Sequence, residues 1–163
     1  MRRIQKYNSE YSIYEQVARY LQLQYPDVIY RFDLAADLKL TPGQAAKHKR
    51  LHPERGHPDL FISESSPRCI DGSWKYEYHG LYLEIKKDGT KLKREKDCKK
   101  TLKGETKIRK AGDWWDLHIE EQAVKLEKLR QKGYKAEFAV GFEQAKKIID
   151  EYLRERKNNE SIF

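Results

Sequence analysis

The 163-residue sequence predicts one α/β domain in which a central mixed β-sheet is flanked by helices. Segments of helical and strand periodicity follow one another in the order helix, strand, helix, paired strands, helix, strand, helix. Hydrophobic residues make up 38% of the chain and eleven residues are Tyr, enough to bury a core although 37% of residues are charged. No internal repeat or Pro/Gly/Ser-rich linker divides the sequence. Residues 1–163 therefore read as one domain, with a basic insertion over about 87–113 and a frayed tail over about 157–163.

The first helix is expected from about Ser9 to Gln24, with Tyr14, Val17, Ala18 and Leu21 as its inward stripe and Pro26 as its stop. Val28 to Phe32 reads as a short strand. Thr41 followed by Pro42 and Gln44 is a capping box that opens a second helix, running to about Leu51 and ending in the basic run Lys47-His48-Lys49-Arg50. Asp59 to Ile62 reads as a strand entered through Pro58. A turn at Asp71-Gly72-Ser73 leads back into a longer strand from about Tyr78 to Lys86. Asp116 is the N-cap of a third helix, which ends at Lys132 before Gly133. Lys135 to Val140 is a strand, and Phe142 to Arg156 a closing helix with Ala145, Ile148, Ile149 and Tyr152 inward. The paired central strands are expected to be antiparallel, with a parallel edge added through the crossover helix.

Charge and cysteine content narrow the function. The net charge of +8 favours a polyanionic partner, and it is local. Between Lys87 and Lys110 eleven Lys and Arg stand against four acids, a net +7. No apolar run approaches the ~18 residues of a membrane span, and the basic start is not followed by the apolar stretch of a secretory signal. Cys69 and Cys98 form no disulfide framework and read as reduced thiols of a cytoplasmic protein. His48 and His52 are four apart on a helix, but no second ligand pair accompanies them, so zinc is not expected.

The strand Gly80-Leu81-Tyr82-Leu83-Glu84-Ile85-Lys86 carries the informative pattern. Alternation puts Leu81, Leu83 and Ile85 on one face and Tyr82, Glu84 and Lys86 on the other. An E-x-K pair alone is most often a solvated face. If the preceding strand pairs with this one as a hairpin, Asp59 approaches Glu84, and two adjacent carboxylates repel unless a cation neutralises them. A hard divalent ion would do so, and Lys86 would position water or stabilise a charged transition state, so each part of phosphodiester hydrolysis has a candidate residue. Gln122 lies within the inward stripe Ile119, Ala123, Leu126 and Leu129, and reads either as a satisfied core amide or as a site residue.

With these motifs the chain resembles the PD-(D/E)xK nuclease superfamily, and within it the VRR-NUC group found in phages and DNA-repair nucleases. The resemblance covers Glu15 to about Leu153. It rests on an acid in the first helix (Glu15), Gly56-His57-Pro58-Asp59-Leu60, the strand Leu83-Glu84-Ile85-Lys86, and Gln122 ahead of Leu129 and Gly133. It implies a restriction-endonuclease-like fold and a DNA endonuclease using Mg²⁺ or Mn²⁺, directed to junction, flap or fork DNA, with no organic cofactor. By resemblance Asp59, Glu84 and the Ile85 carbonyl would hold the metal, Glu15 would contribute through water or to a second ion, and Gln122 would steady Lys86 or the substrate phosphate. It also implies a homodimer as one arrangement.

The 35 residues between Lys86 and Gln122 exceed those of compact members. They read as a phosphate-gripping flap or as a solvated loop. DNA contact is expected from Lys47, Lys49, Arg50, Lys91, Lys93, Arg94, Lys99, Lys100 and Lys103. Trp114 and Trp115 read as core beneath the flap, or as base-stacking aromatics. The rival readings are a non-catalytic nucleic-acid-binding accessory protein on the same fold and an RNA-directed nuclease.

Overall fold

The computed structural model describes residues 9–33, 41–51, 56–70, 73–102 and 105–160. Helix α1 spans Glu10–Gln24, opened by Ser9, whose hydroxyl accepts from the Ser12 N–H at 3.1 Å. Strand β1 (Tyr30–Phe32) follows, then helix α2 (Pro42–Leu51). Both halves of the α2 capping box form: the Thr41 N–H donates to Gln44 Oε1 at 2.9 Å and the Gln44 N–H to Thr41 Oγ1 at 3.4 Å.

Strand β2 (Leu60–Ile62) and strand β5 (Leu81–Lys86) are antiparallel neighbours, but the chain between them adds a hairpin, β3 (Ser66–Ile70) with β4 (Ser73–Tyr78). The long strand expected from Tyr78 to Lys86 is thus interrupted. Gly80 marks the interruption: a Cβ there would meet the Phe61 ring edge at 2.8 Å and the Ile62 carbonyl oxygen at 2.9 Å, so only glycine fits beneath that ring. The expected turn at Asp71-Gly72-Ser73 begins on residues outside those described. A second hairpin, β6 (Cys98–Leu102) with β7 (Glu105–Arg109), lies within the lysine-rich insertion.

Helix α3 (Leu117–Gln131) starts at its Asp116 N-cap, whose carboxylate accepts from the Ile119 N–H at 2.9 Å. Gly133 ends it with φ of 84°. Strand β8 (Lys135–Val140) and helix α4 (Gly141–Glu160) complete the chain. α4 runs four residues past the expected end at Arg156, so residues 157–160 are helical rather than a frayed tail.

The main sheet has the order β1-β2-β5-β8, antiparallel through β5 and parallel between β5 and β8. This is the mixed sheet the sequence predicts. Register fixes its two faces, with Leu60 opposite Leu83, Phe61 opposite Tyr82 and Ile62 opposite Leu81. Leu60, Ile62, Leu81, Leu83, Ile85 and Ala139 turn toward α1 and α4, where they join Ile13, Val17, Leu21, Ala145, Ile149 and Tyr152 in the principal core. Ala18 is only half-buried, and Ile13 takes its place in the α1 stripe. Tyr20 of α1 and Tyr25, which caps its end, both donate to Asp150 of α4, at 2.5 and 2.7 Å, and clasp the two helices together. The opposite face meets α3 through a smaller apolar layer of Ile119, Ala123, Leu126 and Ala136.

Candidate active site

Antiparallel register extended one residue beyond β2 sets Asp59 opposite Glu84, and extended one residue beyond β1 sets Asp33 opposite Asp59. The Asp33 N–H donates to the Asp59 carbonyl at 2.8 Å, confirming the second pairing. Asp33, Asp59 and Glu84 therefore occupy matching backbone positions on three neighbouring strands. Lys86 stands two residues beyond Glu84 on the same face.

Asp59 is held on two sides. The Ile85 N–H donates to Asp59 Oδ2 at 2.7 Å, and the Tyr14 hydroxyl of α1 hydrogen-bonds its carboxylate. Glu84 is 2% exposed, Gln122 6% and Lys86 7%, an unusual burial for polar groups. The Lys86 ammonium donates to Glu84 Oε1 at 2.9 Å. The Gln122 amide donates to the same oxygen. Gln122 thus rests on Glu84, whereas the resemblance had it steadying Lys86 or the substrate phosphate. Gly56, with φ of 76°, lies just before His57-Pro58-Asp59, where a Cβ added to it would come within 3.9 Å of Gln122 Cγ.

Sharing Oε1 between two donors leaves the other oxygen of Glu84 distinct. Glu84 Oε2 is buried with no hydrogen-bond partner among the described residues, and so is Gln122 Oε1. A buried acceptor left this way is costly unless something outside the chain satisfies it. The electrostatics agree. Burial, with the Asp59 carboxylate opposite, pushes Glu84 from 4.5 up to about 8. Burial lifts Asp59 from 3.8 to about 6 against the opposing pull of the Ile85 N–H and the Lys86 charge. For Lys86, burial presses toward the neutral amine, but the Glu84 carboxylate outweighs it and the ammonium is held above its ordinary value.

Among the described residues no group of three or more His, Cys, Asp or Glu side chains is disposed to hold a metal ion. The donors at this point are two carboxylates, one with a partnerless oxygen. That set fits a hard cation which takes one or two carboxylates and completes its shell from water and phosphate.

Glu15 does not join this cluster. It is exposed on α1, and the α1 acid whose charge reaches Asp59, Glu84 and Lys86 is Glu10. At ~100° per residue Glu10 lies one turn ahead of Tyr14 on the same side, whereas Glu15 is turned away from it. The phase set by Tyr14 was the signal that could have identified Glu10.

The basic segment is more ordered than a solvated loop. An antiparallel bridge joins Lys93 to Trp114, and the Trp115 N–H donates to the Leu92 carbonyl at 2.8 Å. The Lys93 ammonium lies 4.6 Å from the centre of the Trp114 ring, and the Arg94 guanidinium 4.9 Å from that of Trp115. Arg94 also donates to the Trp115 carbonyl at 2.6 Å, and Arg109 to that of Trp114 at 3.1 Å. Trp114 is half-buried, 5.7 Å from Phe138 between ring centres; Trp115 is 40% exposed and is not core. Lys93 and Arg94 thus have internal duties. Lys91 is exposed and paired with Glu95 at 2.9 Å, and Lys99 is exposed on β6. Lys47, Lys49 and Arg50 are exposed on α2. Lys100 lies on β6, and Lys103 falls outside the described residues.

No family model matches the sequence, and no curated protein matches it. The architecture nevertheless has a counterpart. A solved structure described as a "VRR_NUC domain protein" is similar over 89% of this chain and 88% of its own, with a TM-score of 0.50 and 24% sequence identity. The chain therefore shares the α/β fold of a VRR_NUC domain protein across nearly its whole length. No helix among the described residues is long and apolar enough to cross a membrane.

Proposed function

We propose that this chain is a nuclease of the VRR-NUC type that hydrolyses DNA phosphodiesters with Mg²⁺ or Mn²⁺. One observation carries the reading: the facing carboxylates of half-buried Asp59 and buried Glu84, beside a buried ammonium, with Glu84 Oε2 left without a hydrogen-bond partner among the described residues. A structural clamp would pair each acid with its own base.

Asp59, Glu84 and the Ile85 carbonyl would hold the cation, with Glu10 in place of Glu15 as the more distant acid. When bound, such an ion polarises a phosphoryl oxygen and acidifies a coordinated water. Lys86 is held charged, so it serves as a fixed positive group facing the developing phosphorane charge rather than as a proton acceptor. Gln122 keeps Glu84 Oε1 occupied together with Lys86, which would leave Oε2 to hold the cation. The exposed lysines of the insertion and of α2 supply phosphate contacts outside this centre. Junction, flap or fork DNA is the proposed substrate class, and a homodimer the proposed means of addressing two strands.

The test is digestion of labelled linear and branched DNA, with RNA alongside, in Mn²⁺, Mg²⁺ and EDTA. Cutting that needs the divalent ion and vanishes in Asp59→Asn is expected. Binding without cutting in either ion would make the protein a non-catalytic DNA-binding module.

A further inference from the structure

The face that carries the acids has a second row of side chains. Two residues along each strand from Asp33–Asp59–Glu84, the pairings Arg31 with Phe61 and Phe61 with Tyr82 set Arg31, Phe61 and Tyr82 in line. The apolar layer from α3 meets this face near β8, and beside β1 and β2 a cavity of about 260 Å³ remains. Its walls are Arg31, Asp33, His57, Pro58, Phe61 and Tyr82.

The aromatic wall is fixed in advance. The Phe61 and Tyr82 rings stack with centres 4.4 Å apart and planes 24° from parallel. Tyr134 buttresses both edge-on, at 6.2 and 5.2 Å, and His57 meets Tyr82 edge-on at 5.5 Å. The Phe61 ring lies where any side chain at Gly80 would collide with it. A stacked aromatic pair with a guanidinium, a carboxylate and an imidazole at its margin is chemistry suited to a heteroaromatic ring with polar edges. The volume falls just below the ~300 Å³ floor for drug-sized ligands, so one planar ring system is the occupant that fits. Two strand residues, ~7 Å, separate this row from the carboxylates, the reach of one nucleotide along a strand. The Asp33 N–H bond to the Asp59 carbonyl joins cavity wall to acid directly.

We propose that this cavity is a nucleobase subsite, taking the base of an unpaired nucleotide next to the phosphate at Asp59 and Glu84 and stacking it on the Phe61–Tyr82 pair. The proposal rests on the phosphodiester reading of the adjoining acids. A base stacked within a duplex cannot enter, so the substrate must offer an unpaired or extruded nucleotide at that position.

The experiment is an abasic scan. A labelled branched DNA is prepared as a series with one abasic residue at successive positions on either side of the branch and of any mapped cut. Each member is titrated by fluorescence anisotropy against Lys86→Ala protein in Mg²⁺. One position is expected to lose affinity by about 5- to 160-fold, the range for one base stacked on an aromatic side chain. In Phe61→Leu that position should bind like its neighbours. Equal effects at every position, or an undiminished loss in folded Phe61→Leu, overturn the subsite. Should Phe61→Leu fail to fold, 2-aminopurine at the sensitive position decides: quenching on binding to folded Lys86→Ala supports the subsite, and unchanged emission overturns it. A position-specific loss without any cleavage by wild-type protein would keep the subsite and remove the catalytic reading. Cleavage with a featureless scan would do the reverse.

Discussion

The molecule handles its two kinds of charge in opposite ways. Glu84 is buried and Asp59 half-buried opposite it on the sheet, and both are pushed toward neutrality. The cations of the insertion are spread over an exposed ribbon, and those with internal partners face tryptophan rings rather than carboxylates buried in the core. Burial makes a charge expensive and therefore exact in position, which suits chemistry. Exposure makes a charge inexpensive and additive, which suits grip on a polyanion.

The largest effect should come from the buried side. Lys86→Ala and Asp59→Asn should each lower the cleavage rate about 100-fold or more, as the loss of one preorganised charge-stabilising group does, with DNA affinity nearly unchanged. Single-turnover cleavage and anisotropy measure the two quantities separately. Retained cutting by both variants would place the chemistry elsewhere.

Stability should betray the same acids. Glu84 is raised from 4.5 to about 8 and Asp59 from 3.8 to about 6, so between those values the folded protein holds protons that the unfolded chain has released. Stability of the ion-free protein should therefore fall as pH rises from about 5 to about 8. Melting in EDTA across that range should show the decline, and Mg²⁺ at pH 8 should reverse it. Asp59→Asn should melt higher than wild type in EDTA at pH 8, by ~2–4 °C for each kcal/mol of repulsion relieved. A flat pH profile would mean the acids are less confined than their burial implies.

The exposed side should respond in graded fashion. Replacing Lys91, Lys96, Lys99 and Lys110 by Gln should weaken DNA binding and reduce the log–log salt slope by roughly 0.9 for each phosphate no longer neutralised. These four are exposed, whereas Lys93 is engaged by Trp114. An unchanged slope would make the ribbon a bystander. The smallest effect separates two acids of one helix: Glu10→Gln should shift the pH dependence of cleavage, and Glu15→Gln should leave it where it was.

The regular elements were legible because their signals are local. Thr41-Pro42-Gly43-Gln44 and Asp116 announce helix starts within four residues, and Gly133 announces an end. The row of Asp59, Glu84 and Lys86 was legible because alternation and one antiparallel pairing suffice to assemble it. The β3–β4 and β6–β7 hairpins were not. Cys98 to Arg109 reads only as part of a lysine-rich flap or solvated loop, since cross-strand partners rather than an apolar face define those strands. Glu10 was missed for a question of helical phase, and the cavity beside Phe61 because it depends on which half of a face α3 leaves open. Such properties belong to tertiary packing, which no single segment encodes.

The side-chain rows have a consequence for how the centre comes into being. Leu60 and Leu83, paired in the core, hold the same alignment that puts residues 59 and 84 face to face. A slip of one residue would exchange inward and outward positions, driving acids among the leucines and expelling the leucines into water. Misalignment is therefore punished by the hydrophobic interior, whatever the demands of catalysis. Any copy of this chain that reaches its native state arrives with both carboxyl groups already opposed, before a ligand has been met.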